Sequence, residues 1–381
     1  MEFENLRQLL DQVLAVCARE RASDVYIKAD SVPFLRIQGG MYPVECDPLM
    51  PQMTEHLAFT IMPAYQRERF ERDHPEANFV YALDGVGRFR VNAYKQKGTI
   101  AMVLRRVEEE ILEFEQLGLP DVLKTLAMQK RGMVLVTGPT GSGKSTTLAS
   151  MIRYRKENAP GHIVTIEDPI EYLHTDSPTC IVSQREVGSD TMAFKDALES
   201  ALRQAPDVLL IGEMRDPSSV EAAVYFAETG HLVLSTLHAN NAVQTIERVL
   251  QFFPEDMQHP VLQQLSLNVR GIVAQRLIPS VEGKRVAAIE VMLVNARMQE
   301  LLREGALTSI KRELDQFLPE GMQSFDRSLV ELFKAGKITA EEAMRNSDNP
   351  NDMRLKLKHL RVTITGQGDD RYGGAGSQAQ G

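Results

Sequence analysis

Apolar residues recur at helical spacing over residues 3 to 20, where Phe3, Leu6, Leu9, Leu10, Val13, Leu14 and Cys17 form one stripe. This pattern predicts an amphipathic helix with a core-facing side. From Ser23 the period drops to two. SDVYIKAD and PFLRIQGGMYPV read as short strands with Gly39-Gly40 as a turn, and FVYALDGVGRFRVNAYKQKGTIAMVLRRV reads as three strands joined at Asp84-Gly85 and Lys97-Gly98. Residues 1–108 are thus expected to form a small α+β domain, with 109–120, which carries Gly118 and Pro120, as a linker. Beyond it, MVLVT, HIVTIE, DVLLIG and HLVLSTL are nearly uninterrupted apolar runs separated by helical patterns, which is how a buried parallel sheet reads. After Gly271 come a strand pair, IVAQRLIPS and RVAAIEVMLV, and helices to about Leu360, one of them opened by Thr339 with Glu341 and Glu342 in its first turn. The expected second domain is therefore α/β, spans 121–360, and is followed by a Gly- and Gln-rich tail, 361–381, expected to be disordered.

Between the run Met133–Thr137 and the next helical pattern stands Gly138, Pro139, Thr140, Gly141, Ser142, Gly143, Lys144, Ser145, a complete G-x-x-x-x-G-K-[ST] loop, with Thr146 after it. Glycines let successive backbone N–H groups converge on phosphate oxygens, the lysine ammonium reaches the outer phosphates, and the serine hydroxyl completes a Mg²⁺ shell. The positive N-terminus of the following helix adds to the attraction. The chain is expected to bind a nucleoside triphosphate, ATP with Mg²⁺.

Composition narrows the remainder. At 381 residues with 43% hydrophobic residues, two cores can be filled. The net charge of −9 argues against a nucleic-acid groove as the main surface. Cys17, Cys46 and Cys180 have neither disulfide-framework nor zinc-site spacing and read as small buried hydrophobes of a reducing compartment. No stretch approaches the ~20 apolar residues of a membrane span, so any membrane contact is expected to be peripheral.

Hydrolysis needs a carboxylate to position water and a charge to meet the transition state. Glu213 follows the strand VLLIG in DVLLIGEMRD, where side chains leave the sheet's C-terminal edge beside a phosphate loop, and it is expected to orient or deprotonate water. Gly212 stands where many such enzymes carry Asp, so metal coordination falls to the cluster Glu167, Asp168, Pro169, Ile170, Glu171 after HIVTI. His231 and His238 bracket LVLSTL with no zinc spacing; His238 is placed to feel the γ-phosphate and His231 reads as structural. Arg88, Arg90, Arg105 and Arg106 lie on hairpin strands, and local geometry alone gives them only an exposed, solvated role.

GPTGSGKSTT, VTIEDPIEYLH, VLLIGEMRD and TGHLVLSTLHA, in this order, resemble the Walker A, Asp-box, Walker B and His-box motifs of the secretion ATPase superfamily, and more narrowly the type IV pilus retraction ATPases. The likeness extends through MQSFDRSLVELF and ITAEEAMRNSDNP. The tetracysteine insertion usual in assembly ATPases is absent. Ala205, the Ala-Asn-Asn after His238 and the helix ARMQELLREG look more like the PilU-type branch than the PilT-type branch. The resemblance implies a RecA-like ATPase domain behind a PAS-like N-terminal domain. It also implies Lys144, Ser145 and Thr146 as nucleotide contacts, Glu171 as a metal or water ligand with Asp168 and Ser145 beside the metal, and Glu213 as the catalytic glutamate. Arg90 and Arg105 match the pair presented to a neighbouring subunit's nucleotide. A homohexamer at the inner face of the bacterial inner membrane is further implied, with a platform protein and a paralogous retraction ATPase as partners. A nucleotide-binding scaffold with little turnover is the reading set against this one.

Overall fold

The computed structural model describes residues 3–107, 110–316 and 321–365, and the chain divides into two compact units, Met1–Ile111 with Val164–Gln204, and Leu112–Ile163 with Ala205–Gly381. The tail expected to be disordered lies mostly outside the described residues, although the last helix, Pro350–Thr365, runs past the expected end at Leu360.

In the first unit a helix, Phe3–Arg19, buries Leu6, Leu10, Val13, Leu14 and Cys17 as the stripe requires. Burial pushes the Cys17 thiol up to about 11, so it packs as a hydrophobe, as Cys180 does; Cys46 is only half-buried, contrary to expectation. Six strands follow: β1 (Asp24–Ile27), β2 (Phe34–Ile37), β3 (Gly40–Pro43), β4 (Glu76–Leu83), β5 (Gly87–Gln96) and β6 (Thr99–Arg106). They form one sheet in the order β3-β2-β1-β6-β5-β4. The β2–β3 turn sits one residue earlier than expected: Gln38 and Gly39 carry the positive φ values, 50° and 88°, and Gly40 already pairs with Ile37. A two-residue hairpin of this hand needs positive φ at both central positions, and Lys97-Gly98 does the same between β5 and β6. Two helices, Pro51–Ile61 and Ala64–Arg72, were not legible as such; their apolar stripes are short, and Phe70 is the one buried side chain of the second.

The later strands are β7 (Gly132–Thr137), β8 (Gly161–Glu167), β9 (Cys180–Glu186), β10 (Val208–Ile211), β11 (Leu232–Leu237), β12 (Val269–Pro279) and β13 (Arg285–Leu293). In the second unit the order is β13-β12-β7-β11-β10, with β8 next, and the chain enters the first unit after Ile163, where β9 follows β8. β10, β11, β7 and β12 run parallel, and every residue of β7, β10 and β11 is buried, matching their unbroken apolar reading. β13 closes the sheet antiparallel to β12. A separate apolar cluster of Phe325, Leu329, Ile338, Ala343 and Met353 seats the C-terminal helices on β12 and β13, with Thr339 capping its helix as expected. No helix among the described residues is long and apolar enough to cross a membrane.

The helix Pro217–Glu228, directly after the Glu213 loop, starts with a capping box in which the Asp216 carboxylate accepts from Ser219 N–H. Burial pushes the Asp216 carboxyl up, but the Ser219 amide and the Ser218 and Ser219 hydroxyls outweigh it and hold the group below the usual range. Asp216→Ala is expected to cost about 1 kcal/mol in urea unfolding at neutral pH. Because folding depresses this pKa, the difference between variant and wild type should shrink as pH falls through the native value.

Candidate functional site

The phosphate loop of the second unit hangs between β7 and the helix Lys144–Asn158. Thr137, the last residue of β7, is level with Leu237 of β11 and with Ala274 of β12. The next residue of β12, Gln275, is therefore set directly under the loop. A Cβ on Gly138 would run into the Gln275 carbonyl and the Ser142 hydroxyl, and one on Gly143 would come within 2.8 Å of Gln275 Nε2. Gly138, Gly141 and Gly143 all have positive φ, 152°, 76° and 89°. Thr147 Oγ1 donates to Gln275 Oε1 at 2.7 Å, so the carboxamide is fixed with its amide nitrogen toward the loop. Gln275 is 3% exposed, a polar residue inside an apolar strand with no motif to announce its role.

Lys144 is buried and its ammonium donates to the carbonyls of Gly138, at 2.9 Å, and Pro139, at 3.2 Å. The loop is thus wound around the lysine. Ser142 Oγ is buried without a hydrogen-bond partner among the described residues. An orphaned hydroxyl, a cradle only glycines can line and a helix N-terminus above them fit a polyphosphate. Ser145 and Thr146 open the helix, half-buried.

The carboxylate expected at this edge is there. β10 pairs with β11 so that Ile211 is level with Ser235, and the ladder is extended by Ser235 Oγ donating to Ile211 O and Thr236 Oγ1 to Gly212 O at 2.6 Å. Glu213 then leaves the edge from which the phosphate loop and His238 also leave. Its Oε2 accepts from Arg215 Nε at 2.9 Å and its Oε1 lies 3.4 Å from His238 Nε2. In the sequence Glu213 and His238 stand apart, each at a strand end; the structure brings them into contact. His231 is structural, its ring edge-on to Phe226 at 5.3 Å and its Nδ1 bonded to the Phe226 carbonyl.

The remaining candidates belong to the first unit. Arg90 of β5 is level with Arg105 of β6, which is level with Asp24 of β1. Like charges directly opposite repel. Arg105 escapes by donating from Nε to buried Asp24 at 2.7 Å, a bond that raises its pKa. Arg90 makes no hydrogen bond or ion pair among the described residues; burial lowers its pKa, and the charges of Glu171 and Glu186 oppose that. It lines a cavity of about 750 Å³ together with Arg105, Asp168 and Glu186. Asp24 and Glu186 had no motif to announce them. Of the acidic cluster, Glu167 is raised by burial despite accepting from Thr165 Oγ1 at 2.7 Å and Gln184 Nε2 at 3.2 Å, which marks it as a structural acid, while Glu171 is exposed.

A family model described as type II/IV secretion system protein matches residues 1–299. The type IV pilus ATPase PilU of Pseudomonas aeruginosa is 46% identical over 359 residues, covering 94% of this chain and 92% of that protein. PilT, the corresponding retraction ATPase of the same organism, is 40% identical over 343 residues, 90% of this chain and 99% of that one. The crystal structure of the pilus retraction motor PilT with bound ADP matches with a TM-score of 0.84 at 41% identity, covering 91% of this chain and 98% of that one. The α/β fold with its parallel sheet, read from the apolar runs, agrees with that structure.

Replacing Lys144 by alanine is expected to remove the charge around which the loop is wound, so binding of a fluorescent ATP analogue should be lost while the far-ultraviolet circular dichroism stays that of the wild type. Undiminished binding would overturn the loop's role.

Proposed function

The chain belongs to the type II/IV secretion system protein family, and on that premise we propose that it is a hexameric motor of type IV pilus retraction, acting as the PilU-type accessory beside a PilT-type paralogue. It is an ATPase of the type IV pilus group. The greater identity to PilU than to PilT supports the accessory branch. One observation carries the motor reading over the scaffold: the phosphate loop and Glu213 leave the same edge of one parallel sheet, in contact with His238. A scaffold that only binds nucleotide needs no carboxylate there.

In the proposed cycle, backbone amides from Gly138 to Lys144 hold the phosphates, with Lys144 turning its ammonium from the loop carbonyls to the outer phosphate oxygens. Glu213 orients the attacking water and takes up its proton, with His238 steadying the carboxylate. Ser145 offers an oxygen donor of the kind a magnesium ion takes, and such an ion would supply charge neutralisation at the phosphates. Asp168 and Glu171, in the first unit, are the acidic groups assigned to the same reaction. Arg90 adds a guanidinium that is spoken for by nothing else in the described residues, while Arg105 must first give up Asp24. We assign Arg90 as the group that meets the transition state of a neighbouring subunit, in a ring at the cytoplasmic face of the inner membrane, against an integral-membrane platform protein.

Steady-state phosphate release separates these readings. Glu213→Ala should lower turnover by about 10²-fold or more with ATP binding retained; equal release from both proteins would end its assignment. Arg90→Ala should bind ATP normally yet turn over about 10³-fold more slowly. Mixing the two variants should then restore part of the activity through sites built from one intact half of each. No recovery in rings proven to be mixed would exclude completion between subunits.

A further inference from the structure

The last residue of β9 is a buried acid that the cycle above does not use. Glu186 is 6% exposed, and its Oε2 accepts from the backbone N–H of Ile170 at 3.1 Å. Ile170 lies between Pro169 and Glu171, so this single bond grips the middle of the acidic loop. The same oxygen is 3.9 Å from Arg88 NH2, on the strand that carries Arg90. Glu186 itself is held from several sides. Its N–H donates to Asp190 Oδ2 at 2.8 Å, and its carbonyl accepts from the amides of Ser189, Asp190 and Thr191. The next residue, Val187, donates to Glu167 O at 2.9 Å, and Tyr65 Oη donates to Gly188 O at 3.2 Å. Burying a carboxylate is unfavourable unless it is paired and hydrogen-bonded, and a fold that needed only apolar filling here has no cause to keep one.

We propose that Glu186 is a positioning residue for hydrolysis, joining the loop that carries Asp168 and Glu171 to the arginine strand β5 through one carboxylate shared by Ile170 N–H and Arg88. The inference rests on the reading above in which the acidic loop serves the reaction. Its physical content is that two groups of opposite charge, exposed Glu171 and half-buried Arg90, are held in a constant relation because both backbones are referred to the same buried oxygen. The electrostatics agree: burial raises the Glu186 pKa, and the Ile170 amide, Arg88 and Arg90 pull it back down, with Asp190 opposing them.

The test is a pair of variants in the full-length protein. Glu186→Ala removes the acceptor and should lower kcat by about 10- to 100-fold, the range typical of lost supporting hydrogen bonds, with KM for ATP unchanged because the phosphate loop stands in the other unit. Glu186→Gln keeps an oxygen for Ile170 N–H and should recover most of that loss. Amide exchange at Ile170 should quicken in the alanine variant and stay slow in the glutamine variant, with β5 and β6 amides protected in both. A rise in KM at constant kcat, or a glutamine variant as slow as alanine with its Ile170 amide still protected, would overturn the proposal. So would unchanged kcat in the alanine variant. Glu171→Ala then locates the fault: if it too keeps full turnover, the acidic loop has no part in the reaction, and if it is inactive, only the Glu186 link is wrong. Should Glu186→Ala fail to fold, Glu186→Gln alone decides by the same split between kcat and exchange.

Discussion

The parallel ladder of β10, β11, β7 and β12 is the constraint from which the rest of the second unit follows. In a parallel pair every strand runs the same way, so all four end at one edge, and their following loops have no choice but to gather there. The register decides which residues gather. With Thr137 level with Leu237 and Ala274, the phosphate loop, His238 and Gln275 emerge side by side, and Glu213 comes from the strand beyond. A slip of one residue in β12 would turn Gln275 to the other face, and Thr147 and the loop glycines would lose the carboxamide that shapes them.

The first unit is governed by charge in place of register. Its outer sheet face sets Arg90, Arg105, Asp24 and Arg36 at facing positions across four strands, three cations to one acid. Asp24 is committed to Arg105, and Ser23 Oγ donates to its other oxygen at 2.8 Å. What remains at Arg90 is a half-buried guanidinium with no acceptor among the described residues, an arrangement that is unfavourable in isolation and is relieved by an anion. The two arginines that a motif treats as equals are therefore physically different: one is held by its own chain and the other is available.

Much of this was legible in the sequence where a short-range rule operates. The phosphate loop, the buried strands and the tight β5–β6 hairpin each follow from a handful of consecutive residues. The β4–β6 strands emerged as expected, whereas the Gln38-Gly39 turn and the helices at 51–72 did not, because a glycine pair leaves two possible frames and a stripe with few large apolar residues gives little period. Gln275, Asp24 and Glu186 were out of reach for another reason. Each works through a partner far along the chain, Thr147, Arg105 and Ile170, and a single sequence carries no sign of such pairings.

Two of the positions on which the resemblance to the PilU-type branch rests have backbone duties in this structure. Asn241, in the Ala-Asn-Asn after His238, is the N-cap of the helix Ala242–Leu250, its side chain accepting from Gln244 N–H at 2.8 Å, and Ala242 N–H is taken by buried Glu290 at 2.8 Å. Two of the orphan amides of that helix start are thereby answered, which fixes where the loop leaving His238 must end. Ala205 is held at a φ of 48°, a left-handed conformation that an alanine adopts at a cost and that Asp or Asn adopts more readily. Asp or Asn at that position would ease the backbone just ahead of β10. Ala205 thus bears on the strand that delivers Glu213 through backbone strain, which links this position to the geometry of that carboxylate.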